Sequence, residues 1–346
     1  MPTSIREVLK IVSSGNSLNQ EIAESFMNEL MSGQVTPVQT AGLLAALTVR
    51  GETVDEIVGF ARAMRRHAVT LRVPFDVMDT CGTGGDGAKT FNISTAAAFV
   101  GAAAGIPIAK HGNRAVSSRS GSADVLAALG ADIDLTGNEA LSCLEDANLC
   151  FLFAQSYHPA MKHAAEARKQ LGFRTVFNIL GPLTNPAGAT KQVLGVFQPH
   201  LVEKVAEALL QLGTTRALVV HGAGGIDELS LQGPNSIAEV VDGRIHRYTL
   251  LPEDCGLERA DLAVLIGGDA RENAAILHSI FAGEKGPRRD VVVLNAAAVL
   301  YVGGKTATIQ EGALLAAELI DSGSVLASMQ RFITATALHP QREVAQ

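Results

Sequence analysis

Polar residues that favour helix starts recur through the first seventy positions of the chain. A Ser or Thr is followed three positions later by Glu or Gln at four places: Ser4 with Glu7, Ser17 with Gln20, Thr36 with Gln39, and Thr53 with Glu56. In such a capping box the hydroxyl and the later side chain satisfy each other's free backbone donors. Pro37 stands at a first helical position, and glycines follow where helices should end, at Gly15, Gly33 and Gly51. The pattern predicts four short helices and a small helical domain over residues 1–72.

After Pro74 the pattern changes to short apolar runs that alternate with helical stretches. Continuous apolar runs are typical of strands covered on both faces, and the helices between them suit right-handed crossovers in a parallel sheet. The sequence therefore predicts a large α/β domain over residues 73–346 with a mostly parallel central sheet. The predicted strands are 75–79, 106–109, 149–154, 217–220, 262–266 and 291–294.

Two further segments lie between these strands. Residues 158–171 are predicted to form a helix with Pro159 at its first position, and residues 173–186 are rich in Gly, Pro and Asn. The second segment is a candidate hinge.

Composition and charge narrow the class of protein. Of the 346 residues, 47% are apolar and 18% charged, which is typical of a compact globular chain. The net charge of −7 disfavours broad contact with nucleic acid. The four cysteines are far apart and are interpreted as reduced thiols of a cytoplasmic protein. No targeting segment or membrane span is expected, because the most apolar window, 96–109, is short and rich in Gly and Ala.

The most distinctive local signal is a glycine-rich turn where the first predicted strand ends. Residues 79–87 read Asp-Thr-Cys-Gly-Thr-Gly-Gly-Asp-Gly and lead into Asn92, Ser94 and Thr95 at the start of an Ala-rich helix. Glycines let backbone N–H groups approach an anion, and the helix start adds donors and its dipole. The turn lacks the Gly-Lys-Ser/Thr ending of an ATP-type loop. It is interpreted as a diphosphate site, and the alternative is a tight structural connection.

Two more loops follow predicted strands. Lys110, His111, Asn113 and Arg114 come directly after 106–109, with a serine-rich stretch over 117–122 behind them. Loops at the carboxyl ends of parallel strands share one crevice, so this basic loop is predicted to face the same anion. The alternative is a solvated basic loop whose serines cap the next helix.

Adjacent carboxylates, Asp227 and Glu228, lie on a glycine-rich loop after 217–220. They suit Mg²⁺, which commonly binds one or two carboxylates together with substrate phosphates. The alternative is a solvated acidic turn. Arg168, on the predicted helix 158–171, has no local feature that separates it from Arg174.

The motifs together resemble the anthranilate phosphoribosyltransferases of tryptophan synthesis. The resemblance rests on Gly-Thr-Gly-Gly-Asp at 82–86, Asn-Ile-Ser-Thr at 92–95, Lys-His-Gly-Asn-Arg at 110–114, the segment 173–186 and Gly-Ile-Asp-Glu at 225–228. Their order and spacing match along essentially the whole chain. The resemblance implies a nucleoside-phosphorylase-like fold, in which a helical insertion around 172–192 completes the small domain, and a homodimer joined through that domain.

The resemblance also implies roles for individual residues. The phosphoribosyl pyrophosphate (PRPP) site would comprise Gly82, Gly85, Asp86, Thr90, Asn92, Ser94, Thr95, Lys110 and Ser122. The anthranilate site would comprise Gly82, His111, Asn113 and Arg168. Two Mg²⁺ ions are expected, with Ser94, Asp227 and Glu228 as metal-site residues.

Two alternatives remain open from the sequence alone. A pyrimidine nucleoside phosphorylase shares the fold, although the Asp-Glu pair and the glycine turn count against it. A non-catalytic relative that binds nucleic acid is disfavoured by the acidic balance of the chain. Neither a covalent nucleophile nor a Ser/His/Asp or Cys/His set is evident, so catalysis by electrostatics and positioning is expected.

Overall fold

The computed structural model describes residues 3–115 and 119–337. The chain begins with four helices: α1 (Ile5–Ser13), α2 (Gln20–Met31), α3 (Pro37–Arg50) and α4 (Val54–His67). Three of the four predicted capping boxes are confirmed, at Ser4, Thr36 and Thr53. The box at Ser17 is wrong, because the side chain of Asn19 accepts from the Ile22 N–H and caps α2 instead. An Asx side chain two positions closer to the apolar run competes effectively for the same role.

A seven-stranded sheet forms the centre of the described part of the large domain. The strands are β1 (Met78–Gly82), β2 (Ile108–Gly112), β3 (Leu149–Phe153), β4 (Lys191–Gly195), β5 (Arg216–His221), β6 (Asn235–Val241) and β7 (Arg244–Leu250). Their order is β3-β2-β1-β4-β5-β6-β7. The first five are parallel, whereas β6 and β7 run antiparallel at one edge. The fold class predicted from the sequence is confirmed.

Four predicted strands overlap observed ones, namely β1, β2, β3 and β5, and two predictions are wrong. The run 262–266 lies largely in a short 3₁₀ turn, Leu262–Leu265. The run 291–294 lies inside a helix, Pro287–Val302, that is buried on nearly all sides. A helix without a polar face loses the 3.6-residue period, so its apolar run is indistinguishable from that of a buried strand.

Helices cover both faces of the sheet. They are α5 (Ile93–Ala103), α6 (Ser122–Ala128), α7 (Asn138–Ala147), α8 (Ala154–Tyr157), α9 (Lys162–Leu171), α10 (Val176–Leu180), α11 (Leu201–Gln211), α12 (Ala270–Phe281), α13 (Pro287–Val302), α14 (Ile309–Asp321) and α15 (Ser324–Ala337). Short 3₁₀ turns span Pro159–Met161, Gly181–Leu183, Pro252–Cys255 and Leu262–Leu265. The predicted helix 158–171 is thus confirmed as a 3₁₀ turn followed by α9.

The core consists of two hydrophobic clusters, one on each face of the sheet. Along β5 the side chains of Leu218 and Val220 pack in one cluster, and those of Ala217 and Val219 in the other. This alternation is the expected consequence of the two-residue strand period. The second cluster also contains the apolar faces of α1–α4, so the N-terminal helices pack on the sheet side through α11.

Later helices pack against the N-terminal ones. Ala164 of α9 and Val176, Ile179 and Leu180 of α10 belong to the same cluster as α1–α4. This packing is what an insertion around 172–192 would require, and the domain division at 72/73 stays a prediction. No single described helix is long and apolar enough to cross a membrane, although the bent pair Ile309–Asp321 and Ser324–Ala337 passes by length and composition.

Candidate active site

A cavity of about 410 Å³ lies beyond the carboxyl ends of β1, β2 and β5. Helices α9 and α10 contribute to its other wall, through residues that include Arg168 and Phe177. All of the site residues predicted from the sequence line this one cavity: Gly82, Gly85, Asp86, Thr90, Asn92, Ser94, Thr95, Lys110, His111, Asn113, Ser122, Arg168, Asp227 and Glu228. Residues 116–118, which include two serines of the basic loop, lie outside the described residues.

The glycine turn has the backbone geometry of an anion site. Gly84 and Gly85 are consecutive residues with φ of +69° and +77°, a conformation that L side chains rarely adopt. Gly82 lacks room for a side chain, because a Cβ there would collide with the Asp227 carboxylate. Glycines without side chains let an anion approach the backbone of such a turn closely. The turn is therefore compatible with the diphosphate predicted from the sequence.

The N-terminus of α5 completes this wall. The Asn92 side chain does not cap the helix, but donates to the Ser120 carbonyl over 3.3 Å and accepts from Asn273 Nδ2 over 2.9 Å. Thr95 is 1% exposed and its hydroxyl has no hydrogen-bond partner among the described residues. A buried hydroxyl without a partner costs free energy, and a ligand oxygen in the cavity would remove that cost.

Backbone contacts with Ile266 and Gly267 fix the segment that joins the glycine turn to α5. Thr90 and Ile266 form an isolated antiparallel bridge, and Gly267 N–H donates to the Lys89 carbonyl over 2.9 Å. Lys89 has a φ of +57°, which is unusual for a residue with a side chain. These backbone bonds fix the rim of the cavity next to Thr90.

Three acidic side chains meet on one side of the cavity. Asp227 Oδ2 accepts from the Gly84 N–H over 2.6 Å, Glu228 Oε1 accepts from the Ser94 N–H over 3.0 Å, and Asp86 Oδ2 accepts from the Asp227 N–H over 3.3 Å. Burial raises the pKa of Glu228 to about 7, although Lys110 opposes the shift. Burial, together with the charges of Asp86 and Glu228, raises the pKa of Asp227 well above its usual value.

A divalent cation fits this donor set. Within residues 3–115 and 119–337, no three His, Cys, Asp or Glu side chains are arranged to hold a metal ion by themselves. Mg²⁺ does not require such a cage, since it usually takes one or two carboxylates, several waters and substrate phosphates. Buried carboxylates that repel one another are stabilised by a cation, which is the physical reason for assigning it to them.

Lys110 lies on the floor of the cavity with a 2% exposed side chain. Its ammonium donates to the Thr80 carbonyl and to Ser94 Oγ, the latter over 3.4 Å. It also lowers the pKa of both Glu228 and Asp79 against the larger effect of their burial. Lys110 is therefore a fixed positive charge between the α5 N-terminus and the carboxylates.

Two histidine rings form the apolar part of the wall. The centroids of His111 and His158 are 5.0 Å apart. Burial lowers the pKa of His111 to about 3 and that of His158 to about 4. His111 Nε2 has no hydrogen-bond partner among the described residues, whereas His158 Nε2 lies 3.0 Å from the Thr184 carbonyl oxygen. Both rings are neutral near pH 7, so they line the cavity as uncharged planar surfaces.

The low pKa of His158 predicts a pH dependence of stability. The unfolded state gains a proton on this group as pH falls through about 6.5, whereas the folded state stays neutral down to about 4. The free energy of unfolding should fall over that window, by up to about 1.4 kcal/mol per pH unit from this group. The variant His158→Asn should show a shallower fall in urea unfolding between pH 6.5 and 4. Parallel curves for the two proteins would contradict the assignment.

Arg168 projects from α9 onto the same cavity. Its guanidinium carbon lies 5.1 Å from the centroid of the Phe177 ring, and among the described residues it has no ion-pair partner. Partial burial lowers its pKa from the ordinary value, although an arginine stays charged. Asn113 and Ser122 lie together on the β2 side, with Ser122 Oγ donating to the Asn113 carbonyl over 3.4 Å. An unpaired guanidinium over an aromatic ring suits a planar anionic ligand.

The sequence does not indicate several residues that line the site or support it from outside. Arg174 donates to the Gly85 carbonyl and lies 4.5 Å above the Phe197 ring, so it supports the glycine turn. No local pattern in the sequence distinguished Arg174. His158 and Asn178 line the cavity but had no role assigned.

Strands β6 and β7 were also not predicted, although the dipeptide Asp242-Gly243 between them is typical of a two-residue hairpin turn. Both residues have the positive φ that such a turn requires.

Comparison with known proteins agrees with the geometry. Residues 6–68 match the helical bundle domain of a glycosyl transferase family, and residues 75–326 match its a/b domain. An anthranilate phosphoribosyltransferase of Rubrobacter xylanophilus is 53% identical over 95% of this chain and 96% of its own length. The chain belongs to the anthranilate phosphoribosyltransferase family. This membership favours the interpretation of the motifs as those of an anthranilate phosphoribosyltransferase over a pyrimidine nucleoside phosphorylase or a nucleic-acid-binding relative.

Solved structures of the anthranilate phosphoribosyltransferase family share the fold over nearly the whole chain. The crystal structure of the Thermus thermophilus protein superposes with a TM-score of 0.90 at 49% identity, over 95% of this chain and 99% of that one. The Saccharomyces cerevisiae protein in complex with PRPP and Mg superposes with a TM-score of 0.88 at 29% identity, over 97% and 98%. The yeast protein has also been solved in complex with 4-fluoroanthranilate.

Proposed function

We propose that this chain transfers the phosphoribosyl group of PRPP to the amine of anthranilate. The products are N-(5-phosphoribosyl)anthranilate and pyrophosphate, and the reaction is the second step of tryptophan biosynthesis from chorismate. The observation that carries the proposal is that one cavity combines a glycine anion site, a fixed ammonium, paired carboxylates and an unpaired guanidinium on the facing wall.

PRPP occupies the sheet side of the cavity. The backbone donors of the glycine turn and of the α5 N-terminus suit its diphosphate, and the Lys110 ammonium adds a positive charge next to them. The orphaned Thr95 hydroxyl gains a partner in a bound phosphate oxygen. The residues assigned to PRPP are Gly82, Gly85, Asp86, Thr90, Asn92, Ser94, Thr95, Lys110 and Ser122.

Mg²⁺ is the proposed cofactor, and the proposed number of ions is two. Asp227 and Glu228 supply carboxylate oxygens for it, and Ser94 supplies a hydroxyl beside Glu228. When bound, the metal neutralises charge that develops on the departing pyrophosphate. The raised pKa values of both carboxylates support the assignment, because burial disfavours their charged forms and a bound cation would offset that cost.

Anthranilate is proposed to lie between the sheet and α9. The Arg168 guanidinium suits a bidentate contact with its carboxylate, and the neutral His111 ring suits contact with its aromatic ring. Asn113 and the backbone at Gly82 complete the assigned set. Since the Arg168 guanidinium is already stacked on Phe177, little side-chain entropy is lost when the ligand binds.

The chemistry requires no covalent nucleophile. The aromatic amine of anthranilate is neutral near pH 7 and attacks C1 of the ribose, while the bond between C1 and the pyrophosphate oxygen breaks with its electron pair on oxygen. The substituted nitrogen then loses one proton to solvent. The transition state is proposed to resemble an oxocarbenium ion. Lys110 and the backbone donors stabilise the departing charge, and the two walls hold the amine beside C1.

A homodimer joined through the helical domain is part of the proposal. Val38 and Val49 of α3 are 82% and 90% exposed, and the small residues Ala41, Gly42 and Ala45 lie between them on the helix. Exposed apolar side chains at both ends of one helical face, with small residues between them, are typical of a helix that packs against a partner. Sedimentation equilibrium of wild type and Val49→Glu would test the dimer.

The four cysteines are free and buried, which supports the proposed cytoplasmic location.

Product analysis tests the proposed reaction. Incubation with PRPP, anthranilate and Mg²⁺ should yield pyrophosphate and the phosphoribosylated amine in equal amounts by mass spectrometry. Phosphorolysis of thymidine or uridine with inorganic phosphate is expected to be undetectable. Phosphorolysis without any anthranilate product would overturn the proposal.

A further inference from the structure

Strands β1 and β2 separate from each other immediately below the cavity. β1 is in register with β4 at five positions, from Met78 with Lys191 to Gly82 with Gly195. β2 is likewise in register with β3 at five positions. Between β1 and β2, the register within the described residues is the single pair of Met78 and Ile108. The parallel ladder thus opens between β1 and β2 at the level of Lys110 and His111.

Side chains occupy the opening in place of backbone bonds. Asp79 Oδ1 accepts from the His111 N–H over 3.2 Å. Asn185 Nδ2 donates to Asp79 Oδ2 over 2.8 Å and to the Ala109 carbonyl over 2.8 Å. The Lys110 ammonium donates to the Thr80 carbonyl. Backbone groups of both strands are therefore satisfied through a wedge of three polar side chains, one from each strand and one from the 181–186 segment.

This wedge is energetically demanding. Asp79 is fully buried, and Lys110 and Asn185 are 2% and 7% exposed. Burying a charged pair costs several kcal/mol in desolvation, whereas continuing the strand ladder would have used neutral backbone groups. A wedge of apolar side chains would have left the strand groups unsatisfied. The polar wedge fixes the positions of the Lys110 side chain and of the His111 backbone. In the proposed function these two residues of β2 lie against PRPP and anthranilate.

We propose that Asp79, supported by Asn185, is a positioning residue that sets Lys110 and His111 for the transfer reaction without touching either substrate. The inference rests on the proposed function for the roles of Lys110 and His111. In this proposal Asp79, which lies below the cavity, keeps β1 and β2 apart. Asn185 connects Asp79 to the 181–186 segment.

The variant Asp79→Asn tests this directly. Its amide oxygen still accepts from His111 N–H, but its NH₂ group then faces the NH₂ group of Asn185, and Lys110 keeps only Glu228 of its two carboxylate counter-charges. We expect kcat/KM for PRPP to fall about a hundredfold. Glu56→Gln is the matched control, because Glu56 is equally buried and accepts the Leu18 and Thr53 N–H groups far from the cavity. It should lower the Tm but leave kcat/KM within about twofold of wild type.

A double-mutant cycle with Lys110→Met separates positioning from general stability. If Asp79 acts through Lys110, the double variant loses much less than the product of the two single losses. Independent, multiplying losses would overturn the inference, as would an Asp79→Asn variant within twofold of wild type. If Asp79→Asn does not fold, Asn185→Ala enters the same cycle with the same two criteria.

Failure of the proposed function is a separate result. A wild-type chain that consumes no anthranilate overturns the reaction, and the cycle is then measured as the Kd for Mg²⁺ with PRPP by calorimetry. Coupling between Asp79 and Lys110 in that Kd supports the positioning role, and additive effects contradict it.

Discussion

The double variant Asp227→Ala/Glu228→Ala is expected to lose about a thousandfold in kcat, which corresponds to about 4 kcal/mol of transition-state stabilisation. Asp227 is buried and Glu228 half-buried beside the glycine turn and α5, where their oxygens are within 3.0 Å of the Gly84 and Ser94 nitrogens. Without them the cation has no protein carboxylate pair to hold it against the diphosphate. Residual turnover should also require far more Mg²⁺, which a titration of initial rate against Mg²⁺ would show.

The control for this variant removes an adjacent carboxylate pair elsewhere. Glu253 and Asp254 lie in an exposed 3₁₀ turn of the same domain, and Glu253→Ala/Asp254→Ala takes away the same charge. It should retain wild-type kcat and Mg²⁺ dependence. Unchanged turnover in Asp227→Ala/Glu228→Ala would contradict the metal assignment.

The neutral variant Asp227→Asn/Glu228→Gln distinguishes lost chemistry from lost folding. Burial raises the pKa of both acids, and repulsion from Asp86 adds to it, so their ionised forms destabilise the metal-free protein near pH 7. Amides of the same shape remove that repulsion. We expect this variant to be inactive and yet to have a higher Tm than wild type when both are measured in EDTA.

Arg168→Ala is expected to raise the KM for anthranilate about a hundredfold and to change the KM for PRPP by less than about threefold. Losing a charge-assisted contact between a guanidinium and a carboxylate costs about 3 kcal/mol. Arg168 is stacked on Phe177 and has no ion-pair partner among the described residues, so the carboxylate of the ligand would be its counter-charge. Initial rates with each substrate varied in turn measure both constants.

Lys169→Ala is the control for Arg168→Ala, because it removes a neighbouring positive charge from the exposed side of α9. Both KM values should stay at wild-type level in it. A selective rise in the PRPP constant for Arg168→Ala would place the guanidinium at the other substrate and contradict the assignment.

The sequence predicted the parts of the fold that have local signals. Thr36 and Thr53 start helices through contacts within one turn, so a motif of four positions predicts them, although the same motif at Ser17 was displaced by Asn19. The wrong strand at 291–294 belongs to α13, whose burial comes from helices α5 and α14 on both sides. That burial is a property of tertiary packing, which no window of the sequence contains.

Local motifs also predicted the candidate site, except where a residue acts through contacts distant in the sequence. Gly82 and Lys110 lie at the carboxyl ends of β1 and β2, Asp227 lies in the loop after β5, and parallel strands bring their carboxyl ends to one edge. Asp79, Asn185 and Arg174 act instead through contacts with residues 32, 106 and 89 positions away in the chain. Their roles depend on the opened ladder and on the docking of the 173–186 segment, and neither is encoded in a short motif.

The fluorescence of anthranilate, followed in the presence of the purified protein, PRPP and Mg²⁺, tests the central claim most directly. Each component is omitted in turn, and Asp227→Ala/Glu228→Ala serves as the inactive protein. The account predicts a steady loss of anthranilate fluorescence that requires wild-type protein, PRPP and Mg²⁺ together. No loss of fluorescence with a folded protein that binds PRPP in calorimetry would contradict it.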